Sequence, residues 1–307
     1  MEPQEHTRKN VKGRGIDPDT ARRSREERAI QIRKEKRFDR ANIERRKFKT
    51  DDTVESAAEA PISRGHCYTI LPQKCAKLLS GNPQEQLESA MYFRRILAAD
   101  KNPPLDMILE ANVIIPALIQ FLSRTDLPSL QVEAAWSLTN IACGEPRHIH
   151  CLLQAGALGE LLNTVASTKT AALKDQALWA ICNMTAVVEA CEFSLTIPNF
   201  LVLMMQTIGL QCEVWDSSSN NTHDRFVSSD CVLRRVYQQE SFHISPTLST
   251  MRHVTFICGN IARQKQALPR DWYRMILYVM SELVHSPDDE IVLDICACLI
   301  TLLQDHP

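Results

Sequence analysis

Two segments of this 307-residue chain repeat each other at an interval of 43 residues. The first reads Glu-Ala-Ala-Trp-Ser-Leu-Thr-Asn over residues 133–140, and the second reads Gln-Ala-Leu-Trp-Ala-Ile-Cys-Asn over residues 176–183. A degraded third copy carries Phe256 in the place of the tryptophan, and a fourth copy, 41 residues further on, carries Ala297 there. Such a period is typical of stacked helical units, each of which buries its apolar face only against its neighbours. The repeat therefore predicts a helical solenoid.

The period and the composition together narrow the fold class. A unit of 41 to 43 residues has the length of an armadillo or HEAT repeat. A chain with only 9 glycines and 6% aromatic residues is poorly suited to a β-sandwich. Residues 71–307 show dense helical periodicity that is broken by short turn signals. We therefore predict an all-α, right-handed armadillo solenoid over residues 71–307, with about four to five repeats.

The interval between the second and third copies is too long for one unit. Trp179 and Phe256 are 77 residues apart, about 34 more than one period. Residues 216–224 are strongly polar, and the interval lacks a second apolar helical pattern of adequate length. We predict a polar surface insertion near residues 212–245 rather than a degenerate extra repeat.

The N-terminal region differs from the rest of the chain in charge. Residues 1–50 contain 17 Lys or Arg and 9 Asp or Glu, whereas the remaining residues contain 18 and 28. The stretch from about residue 19 to residue 47 has helical character, but it carries too few apolar side chains to bury a core of its own. The sequence therefore predicts a basic helical arm over residues 1–50 and a flexible linker over residues 51–70.

Cysteine usage and the absence of known motifs limit the classes of function. The 11 cysteines are scattered and show no repeated Cys-x-x-Cys spacing, which favours reduced, packed thiols over a disulfide framework or a zinc site. No apolar segment has the length of a signal peptide core or a membrane span. No phosphate-binding loop, nucleophile elbow or metal-ligand spacing stands out. We expect a non-enzymatic protein of the cytosol or nucleus, without a cofactor or metal.

Each of the two best copies places a tryptophan and an asparagine on one face of a helix. Trp136 and Asn140 are four residues apart, as are Trp179 and Asn183, and this spacing corresponds to one helical turn. Stacked repeats would align these pairs into a ladder. A carboxamide can donate to a peptide carbonyl and accept from a peptide N–H. Neighbouring indoles can hold the stem of Lys or Arg, with a cation–π gain of about 0.5–2 kcal/mol.

A structural explanation of the same residues competes with the binding one. A single helical tryptophan is more often part of a core than of a ligand site. Two copies with asparagine at the same offset favour the ladder, because a buried core gains nothing from a repeated, unpaired carboxamide.

With these motifs in view, nearly the whole chain resembles the importin-α family of nuclear-import adaptors. In the N-terminal region the resemblance rests on three basic clusters, at residues 22–27, 32–39 and 45–47. In the body it rests on Arg-Thr-Asp at residues 124–126 and on the repeated segments that contain Trp136 and Trp179. The resemblance implies a fold of armadillo repeats preceded by an importin-β-binding arm.

The resemblance also implies roles for individual residues. The cargo-signal groove would comprise Glu133, Trp136, Asn140, Gln176, Trp179, Asn183, Phe256, Asn260, Arg263, Glu290 and Asp294. Importin-β would bind Arg22, Arg23, Arg25, Arg33, Lys34, Lys36 and Arg37. A third basic group could occupy the chain's own groove until importin-β removes the arm, and this autoinhibitory group is Arg45, Arg46 and Lys47.

Several positions depart from the family pattern. Val187 replaces an aspartate that pairs with the key lysine of a classical nuclear localisation signal, and Ile149 replaces a threonine that helps to cap that lysine. Glu189, two residues from Val187, is a candidate substitute for the missing carboxylate. Phe256 offers a weaker cation–π surface than tryptophan, and Ala297 offers none. These changes predict weak or altered cargo binding.

The sequence is compatible with three functions. The first is a shuttling adaptor that links basic cargo signals to importin-β. The second is a cargo-defective relative that acts as a regulator or scaffold through importin-β alone. The third is an RNA-binding armadillo protein, which the scarcity of aromatic residues in the basic arm disfavours. The chain ends at Pro307, where the family continues, so we expect an uncapped apolar edge, which belongs to a fragment, a truncated product or a dimerising relative.

Overall fold

The computed structural model describes residues 64–99, 103–210, 246–264 and 268–305. All of these residues belong to one compact unit that spans Ala60–Pro307. The predicted arm, most of the predicted linker and the predicted insertion lie outside the described residues. Predictions made for them therefore remain predictions.

The described residues form thirteen helices and contain no strand. The helices are Arg64–Leu78 (α1), Pro83–Ala99 (α2), Leu105–Glu110 (α3), Ile114–Phe121 (α4), Pro128–Ile141 (α5), Pro146–Gln154 (α6), Ala157–Ser167 (α7), Ala171–Met184 (α8), Val188–Thr196 (α9), Phe200–Thr207 (α10), Leu248–Ala262 (α11), Arg270–Leu283 (α12) and Asp289–Asp305 (α13). The prediction of an all-α fold is confirmed.

Five of these helices pack one on the next to form a layer. α2 packs on α5, α5 on α8, α8 on α11, and α11 on α13. A second layer packs behind them, with α1 against α2, α4 against α5, α7 against α8, and α12 against α13. The short helices α3, α6 and α9 begin the successive units. This arrangement gives the repeated three-helix units that the 43-residue interval predicts.

The core runs between the two layers. Small side chains on the stacked helices, such as Ala134, Ala135 and Ala177, are fully buried and allow the helix backbones to approach closely. Larger side chains such as Leu158 on α7 fill the space between the layers. Thr139 adds a polar link, because its hydroxyl donates to Gln176 O at 3.1 Å and so connects α5 to α8.

The third unit is interrupted between its second and third helices. α9 and α10 precede residues 211–245, and α11 follows them. α11 nevertheless packs directly on α8, where Asn260 Nδ2 lies 3.5 Å from Cys182 O. The long sequence interval therefore falls between two helices of one unit, and the insertion itself remains a prediction.

The first helix begins earlier than predicted. α1 begins at Arg64, inside the range 51–70 that was predicted to be a flexible linker, and it includes Pro72. Ile70, Leu71 and Cys75 of α1 are partly buried against the core. This packing stabilises helical structure in a segment whose Gly and Pro content suggests a linker. The linker prediction is therefore wrong for residues 64–70.

The two faces of the last helix have different environments. Ile291, Ile295 and Cys298 of α13 are fully buried against the preceding unit. Leu293 and Ile300 are 60% and 57% exposed on the opposite face. An apolar edge at this end of the described residues agrees with the expectation from the sequence.

The described cysteines are free thiols. Burial raises the pKa of Cys191 and of Cys298 to about 12, so both stay protonated near neutral pH. Cys296 is exposed although Cys298 is buried, as their spacing on one helix predicts.

No single helix among the described residues has the length and apolar character to cross a membrane. α8 and α9 pass such a test only as a pair, and the pair is bent by 117°.

Candidate functional site: the tryptophan–asparagine ladder

The stacked helices α5, α8 and α11 carry the predicted ladder. Trp136 and Asn140 lie one turn apart on α5, and Trp179 and Asn183 lie one turn apart on α8. Phe256 and Asn260 occupy the equivalent positions on α11. All three aromatic side chains are half-buried. We call this surface the ladder face, and the space between the Trp136 and Trp179 indoles the Trp slot.

The asparagines of the ladder face join neighbouring helices. Asn140 Nδ2 donates to Arg94 O on α2 at 3.5 Å, and Asn183 Nδ2 donates to Thr139 O on α5 at 3.4 Å. Asn260 Nδ2 makes the same contact with Cys182 O on α8 at 3.5 Å. These long hydrogen bonds recur in three successive stacked pairs, α2 with α5, α5 with α8, and α8 with α11. The carboxamides therefore have a structural use, and the argument that a core gains nothing from repeated asparagines does not hold.

Two acceptor oxygens on the helices that carry the two tryptophans, α5 and α8, remain unpaired within the described part of the chain. Asn140 Oδ1 and Gln176 Oε1 are buried and have no hydrogen-bond partner within the described part of the chain. Asn140 lies one turn after Trp136, and Gln176 lies three residues before Trp179. A buried polar atom without a partner costs about 1–3 kcal/mol. A ligand that donates hydrogen bonds to these oxygens would offset that cost.

An arginine that the sequence analysis did not single out covers one side of Trp136. The Arg94 guanidinium lies 4.5 Å from the centre of the Trp136 ring and forms an ion pair with Glu133. The side chains of Arg94 and Glu133 are only 12% and 16% exposed. Glu133 is thus paired within the molecule. The separation of 39 positions, close to one repeat period, places residues 94 and 133 in adjacent units but does not show that their side chains meet.

The third aromatic position also contacts a cation of the chain. The Arg263 guanidinium lies 5.7 Å from the Phe256 ring centre, and Arg263 donates to Asn260 Oδ1. Asn260, Arg263 and Phe256 are therefore in contact with one another, and their role in binding a cargo signal remains a prediction. The partner of the Phe256 ring here is an internal guanidinium.

The predicted acidic positions of the fourth unit are less accessible than expected. Glu290 is paired with Arg252 at 3.3 Å, and Arg252 also donates to both carboxylate oxygens of Asp288. Asp294 is buried. The internal pairing reduces the negative charge that these residues can offer to a ligand.

The positions that depart from the family pattern have distinct environments. Val187 precedes α9 and is partly buried against the core, and Ile149 is almost fully buried. Neither side chain can pair with a cation. Glu189 is exposed in the first turn of α9, so its carboxylate is accessible to solvent.

Two further predictions concern the basic residues of the N-terminal arm and the binding of metal. The predicted importin-β-binding and autoinhibitory residues, from Arg22 to Lys47, lie outside them. No group of three or more His, Cys, Asp or Glu side chains in residues 64–99, 103–210, 246–264 and 268–305 is placed to hold a metal ion.

Comparisons with protein families and known structures point in one direction. The model of the importin beta binding domain matches residues 7–91, and the model of the armadillo/beta-catenin-like repeat matches residues 101–143. A computationally designed armadillo repeat protein for modular peptide recognition has a similar structure, with a TM-score of 0.57 and 15% identity over 76% of this chain and 87% of the designed one. The armadillo-repeat fold is thereby confirmed.

Curated relatives are similar over most of the chain. Importin subunit alpha-2 of Arabidopsis thaliana is 27% identical over 288 residues, which cover 92% of this chain and 47% of the relative. Importin subunit alpha-B of Dictyostelium discoideum is 35% identical over 154 residues, which cover 50% of this chain and 29% of the relative. The chain therefore spans about half the length of relatives such as the Arabidopsis protein.

Proposed function

Because this chain belongs to the importin-α family, we propose that it is a nuclear-import adaptor that binds basic cargo signals and links them to importin-β. Members of this family are transport adaptors rather than enzymes, as the lack of catalytic motifs predicts. The adaptor role implies a protein that shuttles between cytoplasm and nucleus.

The N-terminal region supports the importin-β half of the proposal. The importin beta binding model covers all of the predicted basic clusters, because it extends over residues 7–91. Arginine side chains suit an acidic partner, since each guanidinium can form two parallel hydrogen bonds with one carboxylate. We assign this contact to Arg22, Arg23, Arg25, Arg33, Lys34, Lys36 and Arg37.

The unpaired oxygens on α5 and α8 carry the cargo half of the proposal. A Lys side chain that enters the slot would place its stem between the Trp136 and Trp179 indoles. Its ammonium, or a peptide N–H beside it, would donate to Asn140 Oδ1 and Gln176 Oε1, which have no other partner among the described residues. The exposed Glu189 is the nearest candidate in sequence for the charge that Val187 lacks. Because no buried carboxylate stands at position 187, we expect this slot to bind a lysine side chain more weakly than a slot that contains an aspartate there.

We further propose that a basic segment of the N-terminal arm binds in the chain's own cargo groove in place of a cargo signal. This segment consists of Arg45, Arg46 and Lys47. A basic segment of the same chain competes with cargo at a high effective concentration. Binding of importin-β to the arm removes this competitor. Cargo binding and importin-β binding are then coupled.

A fluorescence-anisotropy titration tests the cargo half. A labelled Lys-rich peptide is titrated with the full chain and with the Trp136→Ala/Trp179→Ala variant. We expect a loss of about 10-fold or more in affinity for the variant, since two cation–π contacts of about 0.5–2 kcal/mol each are removed. Tyr278→Ala, which removes an exposed aromatic ring from α12, is the matched control and should bind like the wild type.

One observation favours a second function, that of a cargo-defective regulator. Glu133 and Glu290 are paired with internal arginines, and Val187 offers no charge to a cargo lysine. If the wild type binds importin-β but no basic peptide, the protein is a cargo-defective regulator rather than an import adaptor.

A further inference from the structure

The ladder face carries a histidine beside Trp179. His253 lies on α11, and its ring centre is 5.6 Å from that of Trp179, with the two planes tilted by 31°. The His253 side chain is only 12% exposed. His253 and Phe256 lie three residues apart on α11, which is the helix that follows α8 in the stack.

A carboxylate lies beside this histidine, and a hydroxyl donates to that carboxylate. His253 Nδ1 lies 3.4 Å from Asp175 Oδ1, and Ser249 Oγ donates to Asp175 Oδ2 at 3.1 Å. Burial alone would raise the pKa of Asp175, but the contacts with His253 and Ser249 outweigh it and the pKa is lowered. Asp175 is therefore ionised at neutral pH, and its charge is directed at His253 rather than at solvent.

A guanidinium packs near the next aromatic position, Phe256. Arg263 contacts the Phe256 ring and Asn260. The position between Trp179 and Phe256 thus has an imidazole on one aromatic ring and a guanidinium on the other. Asp175 Oδ1 and His253 Nδ1 here, like Asn140 Oδ1 and Gln176 Oε1, are buried without a hydrogen-bond partner among the described residues, so what distinguishes this position is the imidazole packed against Trp179.

We propose that His253 is a specificity-determining residue, which closes the position beyond Trp179 and limits the ladder face to one cationic side chain, held in the Trp slot. This inference rests on the proposed cargo binding and adds the class of peptide that is selected. The preferred ligand is an extended peptide with a single well-placed Lys or Arg. Additional basic residues on the same side of that peptide contribute little to its affinity.

Two labelled peptides test this limit with the full chain. One carries a single Lys among Ala and Ser, and the other carries Lys at three alternate positions, which lie on the same side of an extended chain. Three lysines place a second cation beyond Trp179 whichever way the peptide runs. The measured quantity is the ratio of the two Kd values, obtained by fluorescence anisotropy for each protein variant.

His253→Ala is the informative variant. It opens the space beside Trp179 and frees Asp175 to pair with a second lysine. We expect the preference for the three-lysine peptide to increase by about 2- to 30-fold over the wild type, the range of one cation–π contact. His253→Ser keeps a polar group near Asp175 and should give the same direction of change if the alanine variant folds poorly.

The controls separate this role from a structural one. His150→Ala removes an exposed histidine from α6 and should leave the ratio unchanged. If His253 has only a structural role, its replacement would weaken the binding of both peptides equally and leave the ratio of Kd values unchanged. That result would overturn the inference but not the proposed function. If no variant binds either peptide, the proposed function fails and the inference fails with it.

Discussion

Asn140 shows how one side chain can serve both the fold and a ligand. Its Nδ2 donates to Arg94 O on the preceding helix, whereas its Oδ1 is buried without a partner among the described residues. The same carboxamide therefore holds two units in register and keeps an acceptor beside Trp136. The sequence pattern alone could not distinguish these two uses.

A prediction at the residue scale concerns Gly144, which lies in the tight turn before α6. A Cβ at this position would lie 2.5 Å from His148 Nδ1 and 2.6 Å from Leu105 Cδ1. His148 cannot move freely, because its Nδ1 accepts a hydrogen bond from Glu145 N at 2.8 Å. We expect Gly144→Ala to lower the free energy of unfolding by about 1–3 kcal/mol.

The matched control is Gly159→Ala on α7, where a Cβ would have no atom within 4 Å. Because alanine favours a helix over glycine by about 1 kcal/mol, this variant should be as stable as the wild type or slightly more stable. Urea denaturation of both variants provides the measurement. Equal stability of Gly144→Ala and the wild type would contradict the packing described for this turn.

At the scale of the helices, the sequence predicted the stacked layer better than its internal contacts. The interval of 43 residues correctly placed α5 and α8 in equivalent positions. It did not reveal that Arg94 covers Trp136 or that His253 lies beside Trp179. Each of these contacts joins side chains on different helices. Their direction depends on how one helix is rotated against the next, which a repeat period does not determine.

The start of α1 was missed for a related reason. Pro61 and Gly65 are typical of a linker, but Ile70, Leu71 and Cys75 pack against the core. Tertiary packing thus outweighs local propensity in this helix.

The link between α11 and α13 gives a prediction about pH. Asp288 accepts hydrogen bonds from Arg252 on α11 and from Ile291 N in the first turn of α13. The bond from Arg252 is the main reason that the pKa of Asp288 is lowered. A lowered folded-state pKa means that this pair stabilises the protein above the ordinary Asp pKa of about 3.9 and that the contribution is lost as the pH falls through the lowered value.

We therefore expect Asp288→Asn to be less stable than the wild type at pH 7, with a difference that shrinks below a pH of about 4. Denaturation by urea at several pH values measures this trend. Asp289→Asn changes the adjacent, exposed carboxylate and serves as the control. A stability difference for Asp288→Asn that does not depend on pH would rule out the ion pair as its cause.

On the scale of the whole molecule, the adaptor account requires two partners at once. The region matched by the importin beta binding model begins at residue 7, and the ladder face extends over helices that begin at Pro128, Ala171 and Leu248. In the proposed function, importin-β binds the first region and a basic peptide binds the second. Competition between Arg45, Arg46 and Lys47 and the cargo peptide would couple these two events.

The most direct test is a three-component anisotropy experiment with a labelled single-Lys peptide, the full chain and importin-β. The account predicts that the anisotropy rises when the chain is added and rises again when importin-β is added, because a larger complex forms. In a variant with Arg33→Ala, Lys34→Ala, Lys36→Ala and Arg37→Ala, only the second rise should be lost. Displacement of the peptide by importin-β, or the absence of a second rise with the wild type, would contradict the adaptor role.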